Sequence, residues 1–183
     1  MDSSARGSGV RLLAIDPGSQ DSGFVDYELP GNKLIEHGVA DNSRLLTMCY
    51  QRRVRPSSWH LAIEMVDVFG MAGRTVFETC VWIGRFIEAW GAMDFTKVTR
   101  HEVKMHLCHT KRSDDSMVRA ALIERFGGEA IAIGGKGKGK TKTPRGPLFG
   151  VAAHAWQALG VAVTWADGRK IEADNPLADW GAE

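Results

Sequence analysis

Two short apolar segments of the chain each carry a single acidic residue at or near their C-terminal end. The first, VRLLAID, ends in Asp16 and is followed by Pro17 and Gly18, and the second, WHLAIEM, carries Glu64. Short apolar runs bounded by turn residues are typical of buried strands. Because an isolated charge is expensive to desolvate, an acid in such a strand needs a partner. Both segments therefore predict strand ends that carry paired or metal-bound carboxylates. The alternatives are an ordinary Asp-Pro-Gly turn and a glutamate exposed at the sheet edge.

The remaining segments predict an α/β fold in which a mixed five-stranded sheet is flanked by helices. Strands 1–3 would be antiparallel, and the later strands parallel. We expect a loose tail at residues 1–9, one domain over residues 10–166 and a C-terminal tail over residues 167–183. The hydrophobic spacing predicts strands at residues 10–15, 24–29, 33–39, 59–65 and 93–98, and helices at residues 43–54, 70–90, 99–107, 113–126 and 148–165.

Composition excludes several classes of protein. The net charge is only +1, so nucleic-acid binding must depend on local clusters of charge. Cys49, Cys80 and Cys108 are widely spaced and form no C-x-x-C pair, which excludes a zinc knuckle and favours reduced thiols. The N-terminus lacks the apolar segment of a signal peptide, and no apolar run approaches the ~18 residues of a membrane span. We therefore expect a cytoplasmic protein with no membrane partner.

Two helices offer further candidate site residues. Asp114 and Asp115 open one helix, where acids serve either as caps or as ligands. His154 lies in the apolar segment GVAAHAWQALGVAV, with Gln157 about one turn later on the same face. A histidine in this setting is either a buried core residue or a ligand.

Basic residues are concentrated in the low-complexity segment 134–147, GGKGKGKTKTPRGP, which we expect to be a flexible loop. Such an arm would follow DNA phosphates, with Lys111 and Arg112 adding charge nearby; the alternative is a solvated loop without a partner. Phe69, in an expected loop after Glu64, would stack on a base or else lie in the core. The basic residues of the loop are Lys136, Lys138, Lys140, Lys142 and Arg145.

Four motifs, in order, resemble those of the RuvC-like Holliday junction resolvases, which belong to the RNase H-like (retroviral integrase) superfamily. They are AIDPGSQDSG, LAIEMV followed by a long helix, SDDSMVRAALIERFG and HAWQALGVAV. The match spans about residues 10–165. In detail it is most similar to the divergent resolvases of bacteriophages and prophages.

The resemblance implies a metal-dependent, structure-specific endonuclease that resolves four-way DNA junctions with two Mg²⁺ or Mn²⁺ ions per active site. Asp16 would bridge both ions, Glu64 would bind one, and His154 would complete the second site. The family's last acid is replaced by Gln157. Where the family has a lysine this chain has Asp115, so we expect Asp115, or its neighbour Asp114, to supply the missing carboxylate.

Cutting a twofold-symmetric junction suits a homodimer. The helix at residues 70–90 carries Phe77, Val81 and Trp82, which would form an interface unless this face simply covers the sheet. Other functions remain open: a nuclease for other branched DNA or RNA–DNA hybrids, and a non-catalytic junction-binding module, which Gln157 favours. A sugar-kinase or actin-like ATPase would need a second domain, for which the chain is too short.

Overall fold

The computed structural model describes residues 9–54, 59–67, 70–91, 95–137 and 143–174. Most of these residues belong to regular strands and helices. The strands are β1 (Val10–Asp16), β2 (Asp21–Leu29), β3 (Lys33–Asp41), β4 (Trp59–Met65) and β5 (Phe95–Thr99). The helices are α1 (Asn42–Arg53), α2 (Arg74–Trp90), α3 (Arg100–Cys108), α4 (Asp115–Arg125), α5 (Glu129–Ala132) and α6 (Ala155–Asp174).

The strands form one sheet in the order β3-β2-β1-β4-β5. The first three strands pair antiparallel, whereas β4 runs parallel to β1 and β5 runs parallel to β4. The mixed five-stranded sheet predicted from the sequence is therefore confirmed. In the central strand β1, residues 12–15 are all fully buried, because helices cover both faces of the sheet. This explains why the strand is apolar throughout and does not alternate.

The sheet divides the hydrophobic core into two layers. Leu12 and Ala14 point to the layer that contains α6, and Leu13 and Ile15 point to the layer of α1 and α2. Successive strand residues face opposite sides, so each layer receives alternate residues of β1. Two packed layers hold the central strands rigidly, and the C-terminal ends of β1, β4 and β5 then meet at the same edge of the sheet.

The last helix differs from its prediction at both ends. It begins at Ala155 and continues to Asp174, whereas the apolar pattern predicted a helix over residues 148–165. Gly150 and Ala153 have φ values of 87° and 45°, which a right-handed helix does not contain. The preceding residues therefore form turns, and the periodic apolar residues there pack into the core without being helical.

The basic segment 134–147, expected to be a loop, is ordered at both of its ends. Gly134 and Arg145 form an antiparallel bridge, so the described ends make a short two-stranded ribbon. A side chain at Gly134 would place Cβ 1.9 Å from the Pro144 carbonyl oxygen, which explains the need for glycine there. Residues 138–142 lie outside the described part of the chain.

All three cysteines are free, as the sequence predicted. Among the described helices, none is both long and apolar enough to cross a membrane.

Candidate active site

Asp16 and Glu64 lie side by side at the edge of the sheet. Asp16 is the last residue of β1, and Glu64 is the last but one of β4. Ile15 pairs with Ile63 in the parallel register, so the next residue of each strand lies beside the other. The structure therefore brings together the two acids that the sequence singled out.

The turn that follows Asp16 is held by a buried polar network. The Ser22 hydroxyl donates to Asn42 Oδ1 over 2.6 Å, and Asn42 Nδ2 donates to the Gly18 carbonyl over 2.9 Å. Ser22 and Asn42 are 0% and 1% exposed, so water does not compete for these bonds. The network restricts the direction in which Asp16 points.

His154 joins Asp16 from the opposite side of the turn. It lies immediately before α6, not inside a helix, and its Nδ1 is 2.8 Å from Asp16 Oδ2. The His154 side chain is 60% exposed, so it is not a core residue. Gly23, which pairs with Asp16 across β1 and β2, makes this approach possible. A Cβ atom at Gly23 would lie 2.2 Å from the His154 carbonyl oxygen.

The two neighbouring acids at the start of α4 have different positions. Asp114 is the N-cap, and the hydrogen bonds that it accepts from the Ser116 hydroxyl and the Met117 amide hold the pKa of its carboxyl below the usual range. Asp115 instead reaches the site. Its Oδ2 accepts a hydrogen bond of 3.0 Å from Gln157 Nε2, and its Oδ1 accepts one from Arg100 Nη2.

Arg100 is the site residue that sequence reasoning missed. It is the first residue of α3, directly after β5, and its Nη1 lies 3.9 Å from Glu64 Oε1. The segment Thr99-Arg100-His101-Glu102 predicted only a capping box, which the structure confirms. The available signal was position: β5 is parallel to β4, so the residue that follows it emerges at the same edge as Glu64.

The carboxylates of Glu64 and Asp16 are close together and poorly solvated. Glu64 is 9% exposed, and burial, followed by the charge of Asp16, raises its pKa to about 8, although Arg100 opposes the shift. Burial also raises the pKa of Asp16, against the hydrogen bond from His154. Three buried atoms of the site have no hydrogen-bond partner among the described residues: Glu64 Oε2, Arg100 Nη1 and Gln157 Oε1. The cluster therefore has unused binding capacity.

Solved structures of Thermus thermophilus RuvC are similar to this chain. One, RuvC in complex with Holliday junction substrate, has a TM-score of 0.62 at 16% identity, covering 88% of this chain and 96% of that chain. The other, a RuvC structure, has a TM-score of 0.62 at 15% identity with the same coverage. This chain has the RuvC fold. The RNase H-like fold expected from the sequence is thus confirmed, while no protein-family model and no curated protein matches the chain.

In this RuvC fold, an open cavity of about 460 Å³ lies against the carboxylates. As the described side chains stand, no three of His, Cys, Asp or Glu are grouped so as to hold a metal ion. The donor set nevertheless fits a divalent cation, because one buried oxygen of Glu64 lacks a partner and carboxylates and imidazole are suitable ligands. Asp16, Glu64 and His154 would hold the ion. The cavity is lined, among others, by Asp16, Glu64, Asp67, Arg100, Lys104 and Lys111.

The other predicted DNA contacts are distributed around the RuvC fold. Lys111 lines the cavity, and Arg112 follows it in the same turn. On the ribbon, Lys136 pairs with Glu129 over 3.2 Å, and the Arg145 guanidinium lies 4.6 Å from the ring centre of Phe149. The remaining predicted contacts, Lys138, Lys140, Lys142 and Phe69, lie outside the described residues.

Proposed function

We propose that this chain is a metal-dependent, structure-specific DNA endonuclease that resolves four-way (Holliday) junctions by paired phosphodiester hydrolysis, similar to the resolvases of bacteriophages and prophages. The observation that carries the proposal is the meeting of Asp16, Glu64 and His154 beside an open cavity, at the strand ends of a RuvC fold. We expect the enzyme to act in the cytoplasm.

The proposed catalytic and cation-binding set is Asp16, Glu64, Asp115 and His154. When bound, Mg²⁺ or Mn²⁺ would stabilise charge on the attacking and leaving oxygens of the phosphodiester. Asp16 fixes the orientation of the His154 imidazole through its contact with Nδ1. The other ring nitrogen is then left to bind the ion or to help position the attacking water. Burial keeps water away from Glu64, which strengthens its interaction with any cation.

Lysine side chains support DNA as the substrate. Lys104 and Lys111 line the same cavity as the acids, where a phosphate would otherwise be repelled. In the sequence, the glycine-rich segment 134–147 adds further lysines, a composition that suits contact with a phosphate backbone and not with base edges. The arm would therefore contribute affinity, and the cavity would position the scissile bond.

The outer face of α2 supports the homodimer. Phe77 and Val81, one turn apart, are each 62% exposed, whereas Ile83 and Phe86 of the same helix are buried in the core. The helix thus has an apolar face beyond the one that covers the sheet. We expect Phe77→Glu to convert a dimer into a monomer in light scattering, and Ile131→Glu, at an equally exposed position on α5, to leave the dimer intact. A wild-type monomer would contradict the dimer.

The direct test is incubation with labelled four-way junctions, forks, flaps, RNA–DNA hybrids and plain duplex, with Mg²⁺, Mn²⁺ or EDTA. We expect paired, symmetric cuts near the junction that require a divalent ion and are lost in Asp16→Asn. Preferential cleavage of flaps or hybrids would indicate a different branched-substrate nuclease. Tight junction binding without cleavage in either metal would indicate a non-catalytic module.

A further inference from the structure

The guanidinium of Arg100 lies among the carboxylates of the proposed site. Arg100 Nη2 donates to Asp115, and Arg100 Nη1 lies 3.9 Å from Glu64 Oε1. Burial raises the pKa of Asp16 and the charge of the guanidinium acts against that shift, which places Arg100 within electrostatic reach of a third acid. One cation is therefore shared among all three carboxylates of the proposed site.

Arg100 is less exposed and closer to acids than a side chain available to bind a DNA phosphate would be. Only 20% of the side chain is exposed, and it points toward acids that would compete with a phosphate. The backbone of Arg100 is also held in place, because Arg100 is the first residue of a helix capped by Thr99 and Glu102. If the guanidinium moved away to contact DNA, the buried carboxylate of Glu64 would lose its nearby positive charge, which is costly.

Both oxygens of Asp115 are already engaged. Oδ2 accepts from the amide of Gln157, and Oδ1 accepts from Arg100. Asp115 therefore has less acceptor capacity left for a metal ion than Glu64, whose buried Oε2 has no hydrogen-bond partner among the described residues. Gln157 presents its N–H to Asp115, and its unpartnered Oε1 is a neutral oxygen that binds a hard cation less tightly than a carboxylate would.

From this arrangement we propose that Arg100 is a resident cation that takes the place of a second divalent ion, so that each site binds one ion beside Glu64, Asp16 and His154. Asp115 and Gln157 then act as positioning residues that hold the guanidinium. This inference rests on the proposed function, but it lowers the ion count from the two that the resemblance implied and removes Asp115 from the cation ligands. In the reaction, the guanidinium would stabilise phosphate charge without having to be loaded from solution.

The test counts bound ions and does not depend on cleavage. The full chain is freed of metal with EDTA, dialysed and titrated with Mn²⁺, with the free ion followed by electron paramagnetic resonance and the heat by calorimetry. We compare wild type with Arg100→Gln and with Lys104→Gln, which removes the same charge from the same cavity without touching Asp115. We expect one ion per chain in wild type and in Lys104→Gln, and two in Arg100→Gln.

A second variant keeps the test informative if Arg100→Gln does not fold. Asp115→Asn should bind Mn²⁺ within about threefold of wild type, because Asp115 holds Arg100 and not the ion. A loss of at least about tenfold in affinity would instead show that Asp115 contacts the ion or orients one of its ligands. Two ions in wild type, an unchanged count in folded Arg100→Gln, or no bound ion in any variant would each overturn the proposal. If Mn²⁺-dependent junction cleavage persists in those cases, the proposed function stands and only the role of Arg100 falls.

Discussion

Replacing Glu64 with glutamine should make the metal-free protein more stable. The glutamate is buried beside Asp16, so its negative charge is poorly solvated and is repelled by a neighbour. Glutamine keeps the size of the side chain and its capacity to accept a hydrogen bond, but it carries no charge. The substitution therefore removes an unfavourable electrostatic interaction while also removing a proposed ligand.

The size of the effect follows from proton linkage. Burial first, and Asp16 second, raise the pKa of Glu64 from 4.5 to about 8. An acid whose pKa is raised by folding adds stability below its unfolded pKa and loses it as pH rises toward the folded pKa. Between pH 4.5 and 7 the loss is about 1.4 kcal/mol for each pH unit, or about 3 kcal/mol in all. Glutamine does not ionise, so the variant does not lose this stability. Its Tm should therefore exceed that of wild type by about 6–12 °C at pH 7 for a chain of this length.

The measurement is thermal and urea denaturation in EDTA from pH 4.5 to 9. The advantage of Glu64→Gln should be close to zero at pH 4.5, grow through pH 7 and level off above pH 8. Glu78→Gln is the control, because Glu78 is a partly exposed member of an i,i+4 ion pair on α2 and should change stability by less than about 0.5 kcal/mol. Saturating Mn²⁺ should narrow the gap by stabilising wild type selectively. A variant that is less stable than wild type at pH 7, or a gap that does not depend on pH, would refute the reasoning.

Four further predictions concern activity and binding. Asp115→Asn should lower junction cleavage at least about tenfold because it loosens Arg100, and near-wild-type rates would contradict a role for this acid. Gly23→Ala should abolish cleavage and cost about 1–3 kcal/mol in urea unfolding, because its Cβ would collide with the His154 backbone, whereas Gly31→Ala, with open space around it, should do neither. Activity should be supported by Mg²⁺ and by Mn²⁺, with Mn²⁺ at least equal, and a clear Mg²⁺ preference in a metal titration would count against His154 as a ligand. Replacing the lysines of the arm with glutamine should weaken binding to every DNA shape about equally and flatten its salt dependence, and an effect confined to one shape would argue against a phosphate-tracking arm; these residues are Lys136, Lys138, Lys140 and Lys142.

The charge balance of the site links these predictions. Buried Glu64 and largely buried Asp16 lie close to the more exposed Asp115, and the Arg100 guanidinium is within electrostatic reach of all three carboxylates. Removing the charge of Glu64 relieves repulsion between the carboxylates and stabilises the fold, whereas removing Arg100 increases that repulsion. A site of this kind sacrifices stability for cation affinity, which is common where function requires a strained arrangement.

The sequence alone determined the parts of this protein that depend on local pattern. Apolar runs that end in an acid predicted β1 and β4 and placed Asp16 and Glu64 at strand ends, because burial on both faces leaves only apolar residues within a central strand. The mixed sheet was predicted from the order of the elements, in which three strands come first and helices then alternate with strands. Helix starts, such as the capping box at Thr99, could also be predicted from the sequence, since their residues lie within one turn of each other.

Only the tertiary structure decided which polar side chains share the site. Asp114 and Asp115 are adjacent and chemically identical, and the geometry of the α4 cap alone assigns one to the helix and the other to the cluster. His154 lies before α6 because Ala153 has a positive φ, which interrupts the helix and which apolar periodicity does not reveal. Arg100 belongs to the cluster through the pairing of β5 with β4, a contact between segments about thirty residues apart. Local pattern reports which face of an element is buried, but which charges meet depends on strand register and helix packing across the whole chain.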